Sequence, residues 1–195
     1  MDATSRLGSQ LGKTRGYFGI GVERVSKPMN VGNLFRSAHA FGASFVFTID
    51  AEYSRRRSRS DTSAAFDSLP VHDYATAGAL DLPRGCALVG VELLDEAVVL
   101  PSFRHPRRAA YVFGPERGAL SPELIERCEF MVRIPTRFCI NVASAGAVLM
   151  YDRMISLGRF AERPVGPHSK TVPLPDHVFG APVIRTKPAP GDTEP

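Results

Sequence analysis

The sequence predicts an α/β fold, a mostly parallel sheet with helices on both faces, and three observations carry that expectation. Strand-like and helix-like stretches alternate from Tyr17 to Gly158, the order in which βα units follow one another. The runs Ser44–Asp50 and Cys86–Leu93 are almost unbrokenly apolar, as strands covered on both faces are. A glycine-bearing turn follows the late strand that ends at Phe113, and another turn follows the one that ends at Pro135, so any cofactor site is expected at the carboxyl ends of those strands.

Each element has its own local reason. Tyr17–Val25 is short and β-rich and reads as the first strand. Its Gly19-Ile-Gly21 is no dinucleotide fingerprint, because no third glycine opens a helix behind it. Asn30 is placed to cap the following helix, in which Val31, Leu34, Phe35, Ala38 and Phe41 recur at helical spacing until Gly42 stops it. Ser44–Asp50 is the second strand. A short helix is expected to open at Asp61, a brief strand at Val71–Tyr74 and a short helix at Thr76–Leu82. Cys86–Leu93 and Arg108–Phe113 are further strands. Ser121 caps a helix with Pro122 in its first turn and Glu123 near the positive end of its dipole. Phe130–Pro135 is the last strand, and the last helix runs from about Asn141 to Leu157, stopped by Gly158.

Residues 1–16 are polar and read as a flexible segment without a signal-peptide core. Residues 161–195 hold eight of the 16 prolines and little apolar periodicity, the composition of an extended or disordered tail. That leaves one domain over residues 17–160, with no run of ~18 apolar residues to span a membrane. Cys86, Cys128 and Cys139 are isolated, with neither zinc-type pairing nor a disulfide framework. A reduced, cytoplasmic protein without a metal is expected. No phosphate-binding G-x-x-x-x-G-K-[ST] is present, which argues against a nucleotide triphosphatase.

The net charge is only +4, yet 20 of the 24 cations are arginine. Coding bias explains such a preference as readily as function does; the clustering points to function. Arg55, Arg56, Arg57 and Arg59 form one dense basic loop, and Arg104-His105-Pro106-Arg107-Arg108 a second. Guanidinium groups suit phosphates and stacked bases, so a polyanion such as RNA is the expected partner.

Three stretches then carry a resemblance. Asn30-Val-Gly-Asn-Leu-Phe-Arg36, Phe113-Gly-Pro-Glu116-Arg-Gly-Ala-Leu120 with Arg133-Ile-Pro135, and Cys139-Ile-Asn141-Val-Ala-Ser-Ala resemble, in order and spacing, the three motifs of the SpoU/TrmH family of RNA ribose methyltransferases. The resemblance implies a SPOUT-type sheet with a C-terminal trefoil knot, S-adenosyl-L-methionine as donor, a ribose 2′-hydroxyl of tRNA or rRNA as acceptor, and a homodimer whose interface builds the site. It implies catalytic roles for Arg36, Asn30, Glu116 and Asn141. It also implies donor contacts at Val91, Gly114, Ile134, Cys139 and Ile140.

The residue types fit that chemistry. Methyl transfer to a hydroxyl needs the reactants held in line and the growing negative charge on oxygen stabilised. A guanidinium seldom gives up its proton, so Arg36 reads as a charged group gripping a substrate phosphate rather than as a general base. Asn30 and Asn141 orient a ribose or donor group, or simply cap helices. Glu116 orients Arg36 or an arginine of a second subunit, or pairs locally with Arg117. Val91 is pocket wall or ordinary core. Cysteine at 139 and alanine at 143 stand where the family usually has serines, which leaves a non-catalytic RNA-binding protein of the same fold as the alternative. With only 16 residues before Tyr17, a separate RNA-binding domain is not expected there, and the arginine loops, with the basic tail at Lys170, Arg185 and Lys187, are expected to grip the RNA.

Overall fold

The computed structural model describes residues 16–51, 69–115, 117–158 and 160. The chain divides into two compact units, residues 1–159 and 160–195, and every described element belongs to the first. Expectations for residues 1–15, the helix at Asp61, the arginines at 55, 56, 57 and 59, Glu116 and the 161–195 tail lie outside the described residues.

Seven strands form one sheet: β1 Tyr17–Glu23, β2 Phe45–Ile49, β3 Val71–Tyr74, β4 Ala87–Val91, β5 Val98–Val99, β6 Arg108–Phe113 and β7 Phe130–Arg133. Their order is β3-β2-β1-β6-β4-β7-β5. Every pair is parallel, where the sequence suggested a sheet only mostly so. Among the described residues three α-helices accompany it: α1 Pro28–Ala40, α2 Pro122–Arg127 and α3 Val142–Leu157. The two-residue β5 and the single 3-10 turn Leu100–Ser102 behind it are too short to leave a periodic signal.

The alternation along the strands divides the core in two. Ile20, Val22, Val46, Val89, Val91, Tyr111 and Phe113 pack under α1 and α3, meeting Leu34, Phe35, Leu149 and Met150. Phe45, Phe47, Ile49, Leu88, Ala110 and Val112 face the other way, under Leu124 of α2 and the turn holding Ala77 and Leu80. Each fully buried side chain of this kind stabilises the fold by about 1.5–3 kcal/mol relative to exposure. Close approach requires glycine at two kinds of place. A Cβ on Gly19 or Gly21 would lie 2.3 or 2.2 Å from the rings of Phe45 and Phe47. A Cβ on Gly146 would come within 2.1 Å of Leu34 Cδ1, so α1 and α3 touch there with nothing to spare.

Two expectations are corrected. Asn30 does not cap α1: Lys27 holds the cap position and Pro28 opens the helix, because proline's fixed φ suits the first helical residue. Asn30 thus lies inside the first turn. The helix expected at Thr76–Leu82 is a pair of turns, Ala79 N–H to Thr76 O and Leu80 N–H to Ala77 O, each at 3.2 Å. Arg127 donates to Ala77 O and to Leu80 O, so these carbonyls are engaged from outside the segment.

Candidate active site

All strands point the same way, so their carboxyl ends and following loops gather along one edge of the sheet, the edge where open parallel sheets bind ligands. A cavity of about 340 Å³ lies there. Val91 and Glu92 from the end of β4, Phe113 and Gly114 from β6, and Ile134 beyond β7 form one side. Cys139, Ile140 and Asn141 lead into α3, while Lys27 and Asn30 reach in from the β1–α1 connection. All five expected donor contacts, Val91, Gly114, Ile134, Cys139 and Ile140, are in this lining. Val91 is both wall and core, 8% exposed and packed in the cluster under α1 and α3.

Asn30 and Asn141, 111 residues apart in sequence, meet directly. Asn141 Nδ2 donates to Asn30 Oδ1 at 3.1 Å, and Asn141 Oδ1 accepts the Ala143 N–H at 2.9 Å. Asn141 is therefore the true cap of α3, and capping fixes which end of its amide faces Asn30. The one amide both caps α3 and contacts Asn30, so capping leaves its NH2 group turned toward the cavity lining.

Arg36 stands apart from this pair. It is exposed on α1, six residues and about 9 Å of helix beyond Asn30, and is not in the cavity lining. Glu116 and the arginines of the first basic loop are outside the described residues. In the second basic loop Arg104, Arg107 and Arg108 are exposed but His105 is buried, so this stretch is only partly a cationic surface.

Two carboxylates hold the turn that follows β6. Glu23, 2% exposed at the end of β1, accepts the Ser121 N–H at 2.7 Å and the Ser121 hydroxyl. Glu92 accepts the Leu120 N–H at 3.1 Å and its neighbour Leu93 N–H at 3.0 Å. Arg24, in the left-handed region at φ 49°, donates to Ala119 O at 2.6 Å. A strained non-glycine residue of this kind persists only where its surroundings hold it. Gly114 has a steric reason as well: a Cβ there would lie 2.8 Å from Glu92 Oε2 and 3.1 Å from Leu120 N.

Beyond the expected residues the lining includes Lys27, Glu92, Leu93, Phe113, Pro115, Gly118, Thr136, Val142 and Ala145. Glu92 had a signal, an acidic residue inside the otherwise apolar run Cys86–Leu93; Lys27 and Thr136 had none.

The sequence itself now decides the family. The model of the SpoU rRNA Methylase family matches residues 18–151. The chain belongs to that family. It is 25% identical over 153 residues to a Mus musculus protein named tRNA (guanosine(18)-2′-O)-methyltransferase, covering 74% of this chain and 10% of the relative. It is 26% identical over 157 residues to the Escherichia coli K12 protein of the same activity name, covering 76% of this chain and 67% of the relative. A solved AdoMet-bound rRNA methyltransferase from Sinorhizobium meliloti superposes with a TM-score of 0.63 at 22% identity, over 73% of this chain and 57% of that one. The chain thus spans only a tenth of the mouse relative and little more than half of the Sinorhizobium protein. The structural likeness establishes the shared fold of this SpoU family member.

The lining fits an adenosine-bearing sulfonium donor. Val91, Leu93, Phe113, Ile134, Ile140 and Val142 offer apolar walls to a purine, the Gly114 cradle excludes any side chain, and Lys27, Glu92 and the asparagine pair supply polar contacts. No group of three or more His, Cys, Asp or Glu able to hold a metal occurs among the described residues.

Proposed function

We propose that this chain is an S-adenosyl-L-methionine-dependent RNA methyltransferase that methylates a ribose 2′-hydroxyl of tRNA or rRNA. One observation carries the reading: the Asn30–Asn141 amide pair closes a cavity lined by all five residues expected to touch the donor. The activity names of the mouse and Escherichia coli relatives support it.

The bound donor supplies an electrophilic methyl group. This chain's residues do the rest. Apolar walls exclude water and hold the purine. Asn141, locked by its own cap, orients Asn30 and through it the acceptor ribose. A charged Arg36 grips a substrate phosphate and lowers the cost of negative charge on the acceptor oxygen, and water or that phosphate takes the proton.

Arg36 lies outside the lining of its own subunit's cavity, and we place it in the complete site through a homodimer. An apolar stripe on α3 supports this: Val148, Tyr151 and Ile155, spaced as one helical face, are 44%, 47% and 37% exposed. Tyr151→Asp is expected to give a monomer by sedimentation, with methylation lost. The chain knot belongs to the same reading. Its support is that β7 lies between β4 and β5, both earlier in the chain. Three free cysteines suit a reduced cytoplasmic setting.

Ala143 packs against the core and its N–H serves Asn141, so alanine at 143 has a structural role and the non-catalytic alternative rests on Cys139. Calorimetry with S-adenosylmethionine, and mapping of 2′-O-methyl positions in total RNA with and without the protein, test the reading. Absence of donor binding at near-millimolar concentration would sink it.

A further inference from the structure

Glu92 is the one carboxylate among the described residues of the cavity lining. Its backbone contacts make it a fixed acceptor rather than a swinging side chain. Oε1 is held by Leu93 N–H at 3.0 Å and Oε2 by Leu120 N–H at 3.1 Å. Gly114, also in the lining, leaves Oε2 uncrowded, because a Cβ there would lie 2.8 Å from it. A carboxylate has about four acceptor positions; the two backbone donors take one on each oxygen, leaving each oxygen a further one. A pair of adjacent oxygens, each with a spare acceptor position, matches a pair of adjacent hydroxyls.

The position of Glu92 selects among the groups of the donor. It ends β4 between Val91 and Leu93, on the side of the lining that holds Phe113 and Ile134. The cation Lys27 and the amides Asn30 and Asn141 come instead from the β1–α1 connection and the start of α3. The walls of Val91, Leu93, Phe113 and Ile134 beside the carboxylate suit the nucleoside, and the cation Lys27, on a different element, suits the carboxylate of the amino-acid end. We infer that Glu92 accepts hydrogen bonds from the 2′- and 3′-hydroxyls of the donor's adenosine and so discriminates ribonucleoside from deoxyribonucleoside ligands. The inference rests on the donor reading above and adds to it a residue that selects the sugar.

The test uses the full chain and three ligands in calorimetry: S-adenosylhomocysteine, 5′-methylthioadenosine (which lacks the amino-acid end), and the 2′-deoxy form of the latter. The wild type is expected to bind 5′-methylthioadenosine about tenfold tighter than its 2′-deoxy form, the scale of one charge-assisted hydrogen bond. Glu92→Gln keeps the shape but removes the charge and one acceptor oxygen. It is expected to lose about tenfold for 5′-methylthioadenosine and to bind the two nucleosides within about twofold of each other. Equal affinity of the wild type for both nucleosides overturns the inference without any variant, so the result does not depend on Glu92→Gln folding. Full discrimination kept by Glu92→Gln also overturns it. So does a loss for S-adenosylhomocysteine without one for 5′-methylthioadenosine, which would assign Glu92 to the ammonium group. If the wild type binds S-adenosylhomocysteine but shows no sugar preference, this inference alone fails; if it binds none of the three, the donor reading fails with it.

Discussion

The two ends of α3 serve opposite purposes. Its first turn opens onto the cavity, where Asn141 is exposed and reaches across to Asn30. Three turns later, at the amino ends of the strands, Arg153 is 5% exposed and fully engaged. It donates to Pro106 O at 2.6 Å, Arg107 O at 2.9 Å, Tyr17 O at 3.3 Å and the Tyr111 hydroxyl at 3.0 Å. It also lies over the rings of Phe18 and Tyr111, 5.1 and 5.7 Å from their centroids. Tyr111 in turn meets His105 Nδ1 at 2.7 Å, and His105 Nε2 meets Asp152 at 2.9 Å. Since Arg153 donates to the Tyr111 oxygen, the tyrosine hydrogen goes to His105 Nδ1, and the imidazole keeps its proton on Nε2 for Asp152. Burial pushes the Tyr111 hydroxyl up to about 12, so it stays a donor. One end of the helix is a closed polar network that fastens α3 to β1 and β6. The other is an open one, an amide pair at the rim of the cavity.

This contrast is breakable by mutation, and the effects differ in kind. Arg36→Ala, on the exposed face of α1 and outside both ends of α3, should cut single-turnover methylation by a hundredfold to about a thousandfold, with donor affinity by calorimetry and the urea midpoint unchanged. Normal turnover would remove Arg36 from the mechanism. Arg153→Met, at the closed end, should do the reverse. It leaves three carbonyls and the Tyr111 hydroxyl short of a donor and should cost about 3 kcal/mol in urea unfolding. Donor affinity of the folded fraction should hold. Asn141→Asp keeps the α3 cap but sets a carboxylate against Asn30 Oδ1. Stability should change by no more than about 0.5 kcal/mol, while methylation falls by about tenfold, one lost oriented hydrogen bond.

The smallest effect is a pH dependence confined to the closed end. Burial holds the His105 pKa below its ordinary 6.5, against the opposing pull of Asp152. Below 6.5 the unfolded chain takes up the proton first, so stability present at higher pH is lost as pH falls through the folded value. Urea unfolding between pH 8 and 5 should show this slope, and His105→Gln should flatten it; an unchanged slope would assign it to other groups.

Much of the fold was legible because its signals are local. Apolar runs, Ser121 before Pro122 and Gly158 after Leu157 each mark an element without help from the rest of the chain. In the cavity lining, Asn30, Gly114, Ile134, Cys139, Ile140 and Asn141 were legible from motif order and Val91 from its place at the end of a strand. What escaped notice is set by tertiary contact. Pro28 moved the start of α1 ahead of Asn30. Arg127 engaged the turn at Ala77–Leu80. His105 stood in a basic stretch yet turned inward, because its partners Tyr111 and Asp152 lie six and 47 residues away. Glu92 was visible as an acid in an apolar run, but only the Leu120 N–H and the missing Cβ of Gly114 give it a task.

The contact of Gly146 with Leu34 has a consequence for the amide pair. Leu34 lies one helical turn beyond Asn30, and Gly146 little more than one turn beyond Asn141. A methyl group at 146 would lie 2.1 Å from Leu34 Cδ1, so either the leucine turns aside or α1 and α3 move, and Gly146→Ala is expected to loosen the clasp of the two amides without altering any atom of the site.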